Sequence, residues 1–146
     1  ETYLQEHGYN DMAAVSYDHF GNTGSFTYVY NQDDVYIYPD KLSIKVALDD
    51  GQILGFQANE FAAHHRQRQI QEPAVSLAEA MQALNPNLRI KEQRMAIIKG
   101  DLGAEVLCYE FTGSINGNLY RIYINSDTAL EETIEKLSRE DQKASD

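Results

Sequence analysis

The residues able to do chemistry are few in this sequence, and their spacing is uninformative for catalysis. Of four histidines, only His64 and His65 are close together. Adjacent side chains diverge in a helix and in a strand, so two neighbouring imidazoles do not converge on one ion. The pair reads as solvated or as capping a linker, with His7 and His19 as separate surface or half-buried residues. Carboxylates come in pairs, at Asp33-Asp34, Asp49-Asp50 and Glu131-Glu132. A calcium loop needs oxygens at alternating positions over about twelve residues and a closing bidentate acid, and none of these sites has that pattern. Asp49-Asp50-Gly51 instead supplies the side-chain acceptors and the positive φ of a tight turn. Cys108 sits between Leu107 and Tyr109, the setting of a buried, inert thiol. There is no Gly-x-Ser-x-Gly elbow, no phosphate-cradling Gly loop closed by Lys-Ser/Thr, and no dinucleotide fingerprint. These residues assign no catalytic, cofactor-binding or metal site.

Tyrosine is the positive feature, with seven of ten in the first half of the chain. Its large ring and polar tip suit sheet surfaces and contact patches equally, and most are assigned to the core. Tyr36 and Tyr38, beside Pro39, are read as an exposed edge to which an extended segment of another protein adds as a strand. Tyr123, beside Arg121, is read as the wetter face of a late strand. These four residues form the candidate protein-binding site, and the competing reading packs them between the two halves of the chain.

The elements that must position them follow from pattern. The chain has 146 residues, with 42% apolar content and ten Tyr and five Phe, enough for a packed core in one domain or two small ones. A net charge of −11 repels phosphate backbones and anionic lipid, which argues against nucleic-acid or electrostatic membrane binding. A single cysteine makes no internal disulfide, and the longest apolar runs, such as Met95-Ala96-Ile97-Ile98, are too short to span a bilayer. Ser43 to Leu48 alternates apolar and polar residues before Asp49-Asp50-Gly51, and Arg121 to Asn125 does the same before Ser126-Asp127. Each is preceded by an aromatic and β-branched strand, Gly24–Tyr30 in one half and Ala104–Phe111 in the other. On those strands Phe26, Tyr28 and Tyr30 share one face and Leu107, Tyr109 and Phe111 another, so one face is expected to bury and the other to be wetter. Each half opens with a short helical stretch, Thr2–His7 and Leu77–Leu84, the second with Ser76 as N-cap and Glu79 completing a capping box. Asn116-Gly117 predicts a type I′ hairpin turn, and Gly21-Asn22-Thr23-Gly24 a turn in the first half.

The order helix, strand, strand, strand thus occurs twice. Between the copies runs His64 to Pro73, polar, Gln-rich and closed by a proline, which reads as a linker. Three bases against ten acids give residues 1–66 a charge of −7, and nine against thirteen give residues 67–146 a charge of −4. Residues 127–137 fit either a helix or a strand, and a strand is favoured where they pair with the strand ending at Asn125. The fold class is therefore α+β: two tandem modules, residues 1–66 and 67–140, each a helix on an antiparallel three- to four-stranded sheet, with 141–146 as a frayed tail.

The repeated unit ending in Leu48-Asp49-Asp50-Gly51-Gln52-Ile53 and in Ile124-Asn125-Ser126-Asp127 resembles the PepSY module. More specifically, Asn85-Pro86-Asn87-Leu88, Ala96-Ile97-Ile98, Asp101-Leu102-Gly103, Glu105 to Phe111 and Tyr120 to Asn125 are similar to the C-terminal region of the YpeB family of spore germination proteins. The resemblance covers most of residues 40–137, and the first 40 only by general pattern. It departs from the module's usual Asp-x-x-Thr-Gly turn, because Asp127-Thr128-Ala129 has no glycine. The resemblance implies a non-enzymatic partner of a cortex-lytic peptidoglycan hydrolase of the SleB type, which it stabilises, places or inhibits. It also implies an extracytoplasmic location in the spore envelope, with a membrane anchor upstream of this chain. No catalytic residue carries over. Two other readings stand beside it: a small-ligand-binding α+β domain or enzyme with a pocket in a curved sheet, and a structural spacer.

Overall fold

The computed structural model describes residues 2–100 and 102–137, so the expected tail at 141–146 and the end of the second module lie outside the described residues. Among the described residues the chain divides into two compact units, 2–66 and 67–137. The class is α+β, strand-rich with short helices.

The first unit runs α1 (Thr2–Glu6), β1 (Met12–Phe20), β2 (Thr23–Gln32), β3 (Val35–Ala47), β4 (Ile53–Gln57) and α2 (Asn59–His64). Its antiparallel strands pair in chain order. Gly21, at φ +60, opens the two-residue turn that joins Phe20 to Thr23. At the opposite end Asp33 and Asp34, at φ +51 and +68, form the turn between Gln32 and Val35. Aspartates tolerate this left-handed region better than most side chains because they are short and polar. Leu4 of α1 is buried with Tyr28, Leu42 and Ile44, and Tyr9, Phe56 and Phe61 pack around them.

The second unit runs α3 (Leu77–Gln82), β5 (Arg89–Lys99), β6 (Glu105–Ile115), β7 (Asn118–Asn125) and β8 (Glu131–Lys136), again antiparallel in chain order. Helix α3 starts where the capping box predicts. The Ser76 hydroxyl accepts from the Glu79 N–H at 3.1 Å, and the Glu79 carboxylate accepts from the Ser76 N–H at 3.1 Å. Asn116 and Gly117, at φ +51 and +82, make the expected two-residue hairpin. Ala80 and Leu84 meet Phe111, Ile122 and Ile124 in the core.

The elements refine several expectations. Each unit has four strands, within the expected three to four, and β1 and β5 precede the strands read from sequence. The start of the expected linker is helix α2, whose last residue is His64. Beyond it, Arg68 donates to both carboxylate oxygens of Glu105 at 2.8 and 3.0 Å, and the Val75 N–H donates to the Ser126 carbonyl at 2.8 Å. The irregular segment before α3 is therefore fastened to its unit. Residues 131–136 form strand β8, as favoured for the part that pairs with the strand ending at Asn125.

The turns after β3 and β7 share one hydrogen-bond pattern. The Gly51 N–H donates to the Ala47 carbonyl and the Ala47 N–H to that of Gln52, both at 2.8 Å. In the second unit the Ala129 N–H donates to the Asn125 carbonyl at 2.9 Å and the Asn125 N–H to that of Leu130 at 2.8 Å. Gly51 sits at φ +74, and Ala129 takes the same left-handed region at φ +64.

Candidate functional site

The four candidate residues lie on two strands in different units. Tyr36 and Tyr38 belong to β3, which is an interior strand with β2 on one side and β4 on the other over Ser43–Val46. Both tyrosines are half-buried; β2 pairs with Tyr36, whereas β4 reaches only Ser43–Val46. This stretch carries a bulge. Tyr30 pairs with Ile37 and the next residue back, Val29, pairs with Lys41, so β3 carries Tyr38, Pro39 and Asp40 as extra residues. A bulge accepts proline because no ladder N–H is needed there.

Arg121 and Tyr123 are 6% and 3% exposed, so they do not lie on a wetter face. Register puts them in two rows across the second sheet: Glu92, Thr112, Arg121 and Glu135 in one, and Arg94, Glu110, Tyr123 and Thr133 in the next. Arg94 Nε lies 3.2 Å from Glu110 Oε2, and Arg94 Nη2 donates to Glu92 Oε2 at 2.7 Å. Arg121 Nη1 donates to Glu135 Oε1 at 3.2 Å. The alternation read from sequence is chemically right, apolar on one face and polar on the other. Both faces nonetheless contain buried residues, and on this one the charges face one another across strands.

The first unit holds a different polar group, absent from the candidate residues. The bulge buries Asp40 completely, and His65 Nδ1 lies 2.8 Å from Asp40 Oδ2. The imidazole stacks on Phe61 at a centroid distance of 4.3 Å and meets Tyr30 edge-on at 4.6 Å. A hydrogen bond between residues 25 apart leaves no local sequence signal. Pro39, pointing to a bulge inside a long strand, is the one available hint.

These groups suit structure better than turnover. Burial, with the Glu132 charge second, pushes the Cys108 thiol up to about 12, so it stays protonated and a poor nucleophile near neutral pH. Burial, then the charges of Glu79 and Glu72, raises the Tyr109 hydroxyl, which donates to the Val75 carbonyl at 2.6 Å. Among the described residues no three His, Cys, Asp or Glu side chains converge as metal ligands, and no helix is long and apolar enough to cross a membrane.

Comparison with known proteins decides the family. A model described as YpeB sporulation, PepSY1 and PepSY2 domains matches residues 1–71. The sporulation protein YpeB of Halalkalibacterium halodurans is 42% identical over 137 residues, which cover 94% of this chain and 31% of the relative. That of Bacillus subtilis is 41% identical over 137 residues, covering 92% and 30%. The solved Bacillus megaterium YpeB C-terminal domain is similar with a TM-score of 0.89 at 42% identity, over 94% of this chain and 61% of that one. The chain belongs to the YpeB family. It spans 31% and 30% of the lengths of those two curated relatives. The YpeB domain model matches residues 1–71, so the similarity takes in the first 40 residues, which resemble the family only in general pattern by their motifs.

Proposed function

We propose that this part of a YpeB-family protein is a non-enzymatic protein-binding unit in the spore envelope, built from two tandem PepSY-like modules, each a helix on a sheet. Its partner is a cortex-lytic peptidoglycan hydrolase of the SleB type, which it stabilises, places or restrains. The observation that carries the reading is family membership combined with the pairing of the buried Asp40 and Glu110 carboxylates within the fold and the burial of the Cys108 thiol. Module architecture is supported by Leu4 of α1 and by Ala80 and Leu84 beside α3, which are buried in the apolar cores. The test is calorimetric titration of the 146-residue chain into the purified hydrolase, with lysis of cortex peptidoglycan followed in the same samples. Binding with reduced lysis identifies a restraining unit. Binding with unchanged lysis identifies placement or protection, since a ligand of the native hydrolase stabilises it by mass action. No binding at micromolar concentration overturns the partner assignment for this chain, and peptidoglycan cleavage by the chain alone overturns the non-enzymatic one.

A further inference from the structure

Hairpin turns are normally polar, because Gly, Asn and Asp supply the φ values and hydrogen bonds they need. The turns at one end of each unit obey this, Asp33-Asp34 between β2 and β3 and Asn116-Gly117 between β6 and β7. The turns at the other end carry large apolar side chains in water. In the first unit Phe20, at the β1–β2 turn, is 92% exposed, and Leu48, after β3, is 42% exposed. In the second, Leu102, between β5 and β6, is 98% exposed, and Leu130, before β8, is 66% exposed.

The same end is involved in both units: one hydrogen bond joins the two turns in the first, and in the second one ties the β7–β8 turn to the start of β6. The Leu48 N–H donates to the Asn22 carbonyl at 2.7 Å, and the Ser126 N–H donates to the Leu107 carbonyl at 3.0 Å. Acidic residues lie close to these side chains along the chain. Exposed Asp18, Asp49 and Asp50 outnumber Lys45 in the first unit, and exposed Asp127 and Glu131, with half-buried Glu132, outnumber Lys99 in the second.

We propose that these ends are two copies of a docking surface for a protein segment whose apolar side chains are flanked by lysine or arginine. Apolar burial supplies affinity, and the nearby acidic residues select a basic partner and repel anionic lipid. The proposal rests on the protein-binding reading above and deepens it by naming the surface and the chemistry of its partner.

The test compares the wild-type chain with Phe20→Ser, Leu102→Ser and the double variant, all three expected to keep the wild-type melting temperature because the side chains lie in solvent. Each is titrated with the purified SleB-type hydrolase. In parallel, the isotope-labelled chain is titrated with the synthetic peptide Lys-Leu-Lys-Phe-Lys-Leu-Lys and with its Asp-for-Lys counterpart, following amide resonances. The expected result is a loss of hydrolase affinity of about tenfold or more in the double variant, weaker binding in high salt, and shifts from the cationic peptide confined to the four turns. Hydrolase binding that the double variant retains in full overturns the docking surface and leaves the partner reading standing. Hydrolase that fails to bind wild type, with the cationic peptide still perturbing the turns of wild type and not of the double variant, overturns the partner reading and supports the surface. Absence of both overturns both. Equal shifts from the two peptides, or wild-type binding to phosphatidylcholine vesicles that the double variant loses, overturn the basic-protein assignment.

Discussion

The turns after β3 and β7 have the same hydrogen bonds but different residues at the left-handed position, Gly51 in one unit and Ala129 in the other. An L-residue there costs about 1–2 kcal/mol, and the second unit offsets it locally. Asn125 Oδ1 accepts from the Asp127 and Thr128 N–H groups at 2.7 and 3.2 Å, and Thr128 Oγ1 accepts from the Leu130 N–H at 3.2 Å. The first unit has the glycine and a lighter brace, Asp50 Oδ1 accepting from the Gln52 N–H at 3.0 Å. The units differ in the same way in burying charge. The first places Asp40 at a bulge and meets it with one histidine between aromatic rings, whereas the second spreads Arg and Glu across four strands. One backbone pattern is thus maintained by different side-chain solutions, which teaches that the repeat resides in hydrogen-bond geometry more than in residue identity.

The sharpest way to break this comparison is in the second sheet. Glu110→Ala removes the buried partner of Arg94, which keeps Glu92, and is expected to cost about 2 kcal/mol. Replacing both residues with leucine recovers most of that loss, as a double-mutant cycle in urea would measure. In the first unit Asp40→Ala removes the acceptor for His65 and is expected to cost about 2 kcal/mol, with a smaller loss for Asp40→Asn, which keeps an acceptor oxygen. The turns test opposite signs. Gly51→Ala meets no atom within 4 Å, so its expected cost of about 1 kcal/mol is conformational. Ala129→Gly is expected to gain about 0.5 kcal/mol, the strain relief being partly cancelled by unfolded-chain entropy.

A comparably small effect concerns the cap of α3. Ser76→Ala is expected to cost about 1 kcal/mol or less at neutral pH. Hydrogen bonds from Ser76, backbone first and then side chain, hold the Glu79 carboxyl below its ordinary value. A carboxylate depressed in the folded state contributes stability above its unfolded pKa and loses it as pH falls through the folded value. The difference between wild type and Ser76→Ala therefore shrinks on acidification, and thermal melts across the carboxylate range check it.

Features legible in the sequence are those that depend on neighbours along the chain. The capping box at Ser76 and Glu79, the left-handed pair Asn116-Gly117, the glycine after Asp49-Asp50 and the alternation along Arg121–Asn125 each follow from local backbone sterics or from the period of a strand. The family resemblance was legible for the same reason, since its motifs are contiguous. The candidate site was read less well. Arg121 and Tyr123 alternate with apolar residues, which identifies their face, but only the register of β5, β6, β7 and β8 places Arg94, Glu110 and Glu135 beside them and takes them out of water. Pro39, beside Tyr36 and Tyr38, disfavours a regular ladder, and only the register of β2 and β3 shows that a bulge between Ile37 and Lys41 accommodates it. Asp40 and His65 meet only because α2 packs near β3. The sequence by itself determined the α3 cap, the alternating strands, turn chemistry and the family resemblance, because these are properties of short stretches. The tertiary structure alone decided which polar residues are buried together and which apolar ones, Phe20 and Leu102 foremost, remain in solvent, because burial is set by strands distant in sequence.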